Sequence, residues 1–297
     1  MSRLYDALRR VEEEGRDAAT NPPETVVAPP KNPDQLSAIQ SLPARIRSES
    51  HIVVLSDPHS PGSERFRLIR MALRSSSGGK LPKVLLITSP LPKDGKSTVA
   101  LNLATSLSEG GKYKVLLLEA DLHRPTLLSN LGLEPMSGLS EVIQGLNEPF
   151  AAIHRIEPLD IYLLSAGRSI GHPSELFQGE RFHDLLQKFK ASFDCVLIDS
   201  PPAFPLADVV ALKAHADGVL LVARAGVTPR ESISETIQLF KPGQVIGMIL
   251  NAQEEVNQIY AKYYYRKDVS TTSERSNGRG DGGGVAWSVD RSARTPR

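Results

Sequence analysis

Val84-Leu85-Leu86-Ile87-Thr88-Ser89-Pro90-Leu91-Pro92-Lys93-Asp94-Gly95-Lys96-Ser97-Thr98 is the stretch that decides the fold. It opens on a short apolar run without alternation, which is how a strand buried on both faces reads. It closes ahead of Leu101, Leu103 and Leu107, a helix-period pattern. A strand, a tight loop and a helix in that order aim backbone N–H groups and the positive end of the helix at one point, where phosphate oxygens can be cradled. Lys96 can bridge to β and γ phosphates, and the Ser97 hydroxyl can ligate magnesium. Gly95 is needed because a side chain there would block the phosphates. Pro90 stands where the G-x-x-x-x-G-K-[ST] pattern has its first glycine, so the match is partial. The position after a buried strand makes phosphate binding the stronger reading.

Similar runs follow at Val115-Leu116-Leu117-Leu118, Cys195-Val196-Leu197-Ile198, Gly218-Val219-Leu220-Leu221-Val222 and Val245-Ile246-Gly247-Met248-Ile249-Leu250, with Ile161-Tyr162-Leu163-Leu164 as one more strand. Helix-period segments separate them. The expectation is an α/β fold, a doubly wound, mostly parallel sheet with helices on both faces. Two of the runs end on carboxylates: Glu119 and Asp121 after the second, Asp199 after the third. Ligands of open parallel sheets collect at the carboxyl ends of strands, so these groups should converge on the loop. Asp199 can hold magnesium through a water, and Asp121 or Glu119 can orient or deprotonate an attacking hydroxyl. Helix capping is the plainer role for any one of them, Asp121 above all.

The rest of the chain sets limits. Thirty-five basic and 34 acidic residues leave a formal charge of +1, which gives no general field toward nucleic acid or anionic lipid. The one cysteine, Cys195, lies inside an apolar run, where burial is expected and a disulfide within the chain is excluded. No apolar stretch approaches the roughly 18 residues of a membrane span, and Met1-Ser2-Arg3-Leu4-Tyr5 lacks the apolar core of a signal peptide. A cytoplasmic location is therefore expected. Residues 1–14 place Leu4, Leu8 and Val11 on one helical stripe. That helix reads equally as a docking peptide or as a cover on its own domain. Residues 15–50, with six prolines, read as an extended linker, residues 51–266 as the nucleotide-binding domain, and residues 267–297 as a disordered tail.

Over residues 51–265 the chain resembles the bacterial tyrosine kinases of capsule and exopolysaccharide synthesis. Ser89 to Thr98 is similar to that family's S-x-x-P-G-E-G-K-S-T loop, with Lys93 where glycine is usual and Asp94 where glutamate is usual. Leu116 to Pro125 resembles its L-L-I-D-A-D-L-R-R-P strand, and Phe193 to Pro202 its Y-D-x-V-I-I-D-T-P-P strand. Val222 to Thr228 is similar to V-x-R-x-G-x-T, and Gly247 to Asn251 to the strand whose asparagine lies near the base. The resemblance implies a P-loop NTPase of deviant Walker type that transfers phosphate from ATP, with Mg2+, to its own tyrosines. It implies nucleotide contacts at Pro92, Lys93, Asp94, Gly95, Lys96, Ser97, Thr98, Arg224 and Asn251, metal ligation by Ser97, Asp121 and Asp199, and catalysis by Lys96, Glu119, Asp121 and Asp199.

Glu64, Arg67 and Arg70 fit the family's E-x-x-R-x-x-R helix, which implies a homo-oligomer, possible as a ring. Tyr260, Tyr263, Tyr264 and Tyr265 fit its acceptor cluster, with an aromatic partner-binding patch as the plainer alternative. The family also implies a separate membrane adaptor, a polysaccharide co-polymerase that brings the protein to the inner face of the membrane, and no nucleic acid. The alternative class is the chromosome-partitioning and division-site ATPases, whose loop carries an extra lysine five residues before the main one. Leu91 stands there. Glu119, where the kinases have aspartate, moves the carboxylate by about one bond length, on a scale where about an ångström can cost a hundredfold in rate.

Overall fold

One eight-stranded sheet carries the fold, and the computed structural model of the 297-residue chain describes it over residues 36–46, 50–76, 78–169, 171–204 and 207–252. The strands are β1 (Ser41–Pro43), β2 (Val84–Thr88), β3 (Val115–Glu119), β4 (His154–Glu157), β5 (Ile161–Leu164), β6 (Cys195–Asp199), β7 (Gly218–Arg224) and β8 (Val245–Asn251). Their order across the sheet is β1-β4-β5-β3-β6-β2-β7-β8. All neighbours run parallel except β4 and β5. The mostly parallel, doubly wound architecture expected from the apolar runs is therefore the one observed, and all six expected strands are present.

Alternating strand residues feed two cores. Leu86, Leu116, Leu118, Val196 and Ile198 face a layer that contains Phe182, Leu186 and Phe189 of α7 (Glu180–Ser192). Leu85, Ile87, Leu117 and Leu197 face Leu101, Leu103 and Leu107 of α3 (Lys96–Ser108) and Leu73 of α2 (Pro61–Ser76). Both faces of the central strands are dry, and burying each such side chain contributes about 1.5–3 kcal/mol. Proline at the first position and a Ser60 hydroxyl accepting from the Ser63 N–H start α2. Among the described residues the remaining α-helices of more than one turn are α5 (Leu139–Gln144), α6 (Pro173–Gln178), α8 (Asp208–Leu212) and α9 (Arg230–Gln238), with single turns at α1 (Val53–Ser56) and α4 (Leu127–Asn130).

The domain begins earlier than residue 51. Within the segment read as linker, Leu36 is buried in the core, β1 pairs with β4 from Ser41↔Arg155 to Pro43↔Glu157, and the Ser50 hydroxyl donates to the Asn130 carbonyl. Prolines mark an extended chain but do not exclude a strand at a sheet edge, where β1 and its Pro43 lie. The N-terminal stripe at Leu4, Leu8 and Val11, the tyrosine cluster and the tail all lie outside the described residues. Among the described residues no helix is long and apolar enough to cross a membrane.

Candidate nucleotide-binding active site

The carboxyl ends of β2, β3 and β6 lie side by side, because Asp199 is in register with Ile87 on one side and Glu119 on the other. The loop after β2 bends through Lys93 (φ 69°) and Gly95 (φ 93°), both left-handed, before α3 begins at Lys96. A Cβ at Gly95 would lie 2.0 Å from Asn251 Nδ2, so both the backbone and the neighbouring side chain demand glycine. The helix N-terminus and the loop open into a cavity of about 670 Å³ lined by Pro92, Lys93, Gly95, Lys96, Ser97, Thr98 and Asp121.

Lys96 Nζ pairs with Asp121 Oδ2 at 3.0 Å, and Asp121 Oδ1 accepts from the Arg124 N–H at 3.0 Å. Asp121 lines the cavity but caps no helix: its bond to the Arg124 N–H closes a turn, and the helix that follows begins only at Leu127, where Glu119 accepts the first N–H groups. Asp199 is fully buried, and neither of its oxygens has a hydrogen-bond partner. Burial pushes its carboxyl up to about 7; the Lys96 charge and the nearby Ser97 hydroxyl work against that shift, and Glu119 and Asp121 reinforce it. A buried, unpartnered carboxylate beside a serine hydroxyl and a lysine is an unfinished coordination set. It fits a divalent cation shared with phosphate oxygens, the usual P-loop arrangement, in which few ligands come from the protein. Among the described residues no group of three or more His, Cys, Asp or Glu side chains is placed to hold a metal ion by itself.

Glu119 is placed differently. Its Oε1 accepts from the N–H groups of Thr126 (2.6 Å) and Leu127 (2.7 Å), and its Oε2 from the Ala166 N–H (3.1 Å). Burial raises its pKa, the three amides pull it back, and the Asp121 charge adds to the rise. The carboxylate caps α4 and ties it to the end of β5, and it does not line the cavity. Asp94, Arg224 and Asn251 also stand outside the cavity lining. Asn251 Nδ2 donates to the Asp94 carbonyl at 3.0 Å.

Arg67 is exposed on α2, paired with Glu64 at 2.8 Å and donating to the Pro58 carbonyl. Arg70 turns inward instead, donating to the Ser106 carbonyl and lying 3.6 Å from Glu109, which Arg74 also holds at 2.7 Å. Sequence reading missed the outer wall of the cavity: His123, Arg124, Thr126, Asn130, Pro202 and Phe204. His123 Nε2 is 2.9 Å from Asp208 Oδ2, which fastens this wall to α8. Their position just after the carboxyl ends of β3 and β6 was the available signal.

The fold and this site define a P-loop nucleotide-binding protein. The family described as AAA domain matches residues 93–244. The tyrosine-protein kinase YwqD of Bacillus subtilis is 31% identical over 224 residues, covering 75% of this chain and 94% of its own. The tyrosine-protein kinase wzc of Salmonella typhimurium is 29% identical over 229 residues, of which the matched part covers 76% of this chain and 32% of wzc. Among solved structures, the kinase domain of the Escherichia coli tyrosine kinase ETK superposes with a TM-score of 0.64 at 28% identity, over 67% of this chain and 79% of that one. The chain belongs to the bacterial tyrosine-protein kinase family.

Proposed function

We propose that this chain is an ATP-dependent protein-tyrosine autokinase that regulates polysaccharide polymerisation or export. The observation that carries the reading is Asp199, buried and without a partner, in register between the P-loop strand and β3. Ser97 and Asp199 would hold Mg2+, which would neutralise charge on the phosphates. Lys96, 3.0 Å from Asp121 in the resting site, is placed to turn to the γ phosphate. Asp121 is then free to take the phenolic proton as the tyrosine oxygen bonds to phosphorus and the bond from phosphorus to the β-phosphate oxygen breaks. Transfer of this kind needs positioning and charge stabilisation more than covalent chemistry. Glu119, with three amides on its two oxygens, supports the wall of the site rather than the proton transfer.

The acceptors in this reading are Tyr260, Tyr263, Tyr264 and Tyr265, presented by a neighbouring copy. The outer face of α2, with Arg67 and the exposed Leu68 and Met71, supports assembly, while Arg70 holds α2 to its own α3. A separate membrane adaptor would bring the protein to the inner face of the membrane, with the N-terminal stripe Leu4, Leu8 and Val11 as its contact. The test is phosphotyrosine mapping by mass spectrometry after incubation with ATP and magnesium, with and without an adaptor's cytosolic fragment, beside Lys96→Ala. Phosphate on the cluster that disappears in Lys96→Ala is the expected result. ATP hydrolysis with no phosphotyrosine would overturn the reading in favour of a switch-like ATPase.

A further inference from the structure

The phosphate-binding loop contains an anomaly with a visible compensation. Lys93 occupies a left-handed backbone conformation, φ 69°, that side-chain-bearing residues adopt at a cost. The next residue, Asp94, is buried, yet it does not line the cavity. A carboxylate aimed at phosphates would repel them, so its place away from the cavity needs another purpose. Asp94 Oδ2 accepts from the Leu91 N–H at 3.0 Å and closes the loop on itself. Asp94 Oδ1 lies 2.7 Å from Thr228 Oγ1. The Arg224 N–H donates to the same Thr228 oxygen at 2.8 Å, so the threonine proton is directed at Asp94. Behind the loop, Asn251 Nδ2 donates to the Asp94 carbonyl and fills the space where Gly95 has no side chain. The Ala225 N–H in turn donates to the Asn251 carbonyl at 2.8 Å, which joins the two anchoring points.

We propose that Asp94, Thr228 and Asn251 form a latch that holds the phosphate-binding loop in its left-handed bend, doing with side chains what a glycine at position 93 would do with backbone freedom. They are positioning residues: nucleotide affinity depends on them although none lines the cavity. The latch ties the loop to the carboxyl ends of β7 and β8, the two strands on the far side of β2 from the catalytic carboxylates. The inference rests on reading this loop as the nucleotide site.

Two measurements on the full chain test it. One is titration with a fluorescent N-methylanthraniloyl-ADP in the presence of magnesium, for the wild type, Asp94→Ala, Thr228→Val and the double variant, each with Lys93 and with Lys93→Gly. The other is amide hydrogen exchange of the nucleotide-free protein at Leu91. Losing a hydrogen bond to a buried charge should weaken binding about tenfold in Thr228→Val, and more in Asp94→Ala. The double variant should be little worse than Asp94→Ala, because the two share one bond. Measured against Lys93→Gly, the same substitutions should cost only a few-fold, since the bend no longer needs holding. Leu91 exchange should quicken in Asp94→Ala.

Wild-type affinity in both single variants, full additivity in the double variant, or an undiminished loss in the Lys93→Gly background would each overturn the latch. Should Asp94→Ala fail to fold, Thr228→Val with and without Lys93→Gly decides by the same ratio. A wild-type chain that binds no analogue sinks the nucleotide reading instead, and Leu91 exchange in Thr228→Val then still tests the latch: unchanged exchange overturns it.

Discussion

Glu119 and Asp199 end neighbouring strands in register with one another, and both are fully buried, yet their surroundings differ completely. Three backbone amides occupy the two oxygens of Glu119, whereas those of Asp199 have the Ser97 hydroxyl and the Lys96 charge nearby but no hydrogen bond of good geometry. Burying a carboxylate costs several kcal/mol unless partners replace its water. Glu119 recovers that cost by organising α4 and the end of β5, which makes it architecture. Asp199 leaves that cost standing, and on the proposed function a cation held there together with Ser97 would offset it. Sequence alone presents the two as equivalent strand-end acids.

The sharpest way to break the contrast is Asp199→Asn. Phosphoryl transfer should fall by about a thousandfold or more, a loss typical of removing a charge-stabilising group from such a site. The nucleotide-free protein should at the same time become more stable by about 2 kcal/mol at pH 8, because a buried unpaired charge is gone. Activity assays and thermal melts of one preparation read both effects. A variant that loses stability would mean Asp199 has partners in solution after all.

Titration examines the same residue through stability rather than activity. The Asp199 carboxyl sits near 7 in the folded protein, above the ordinary 3.8, so between those values the folded state holds a proton that the unfolded state has released. Its favourable contribution is complete below about pH 4 and is lost as pH rises through about 7, a swing of up to about 4 kcal/mol. The stability of Asp199→Asn minus that of the wild type, from denaturant melts without nucleotide or metal, should therefore grow from pH 5 to 8 and then level off. A flat difference over that range would place the group in a wetter environment.

For Glu119 the expected losses are of fold, not chemistry. Glu119→Ala orphans three buried N–H groups and should cost about 3 kcal/mol. Glu119→Gln keeps one acceptor oxygen but turns an NH2 toward an amide, so it should cost less and leave kcat within a few-fold of wild type. Full stability with abolished activity in Glu119→Gln would reverse the assignment and make Glu119 part of the chemistry.

Much of this was legible beforehand, for identifiable reasons. Runs such as Leu85-Leu86-Ile87 betray strands dry on both faces, and the strand-loop-helix context of Lys96 and Ser97 places phosphate at a helix N-terminus. Cys195, expected to be buried, is so completely enclosed that burial pushes its thiol up to about 12. β4 escaped notice because His154-Arg155-Ile156-Glu157 buries only Ile156, and β1 because three residues ending in proline carry no period. The inward turn of Arg70 escaped because its partners, Ser106 and Glu109, lie 36 or more residues away, beyond any local pattern. For the same reason no spacing rule could reveal that Thr126, Leu127 and Ala166 converge on Glu119.

The smallest effect bears on the family's usual residue at this position. Glu119→Asp withdraws the carboxylate by about 1.5 Å, one C–C bond. Amides now at 2.6–3.1 Å would then lie beyond good hydrogen-bond range unless the backbone follows. Partial relaxation should hold the loss to about 1–2 kcal/mol, with α4 the first element to fray. On the architectural reading kcat should stay within about twofold, because the proton acceptor remains Asp121. A rise in kcat of tenfold or more, with stability lower, would show instead that the longer acid is a brake on this kinase, and that capping α4 is how the brake is held on.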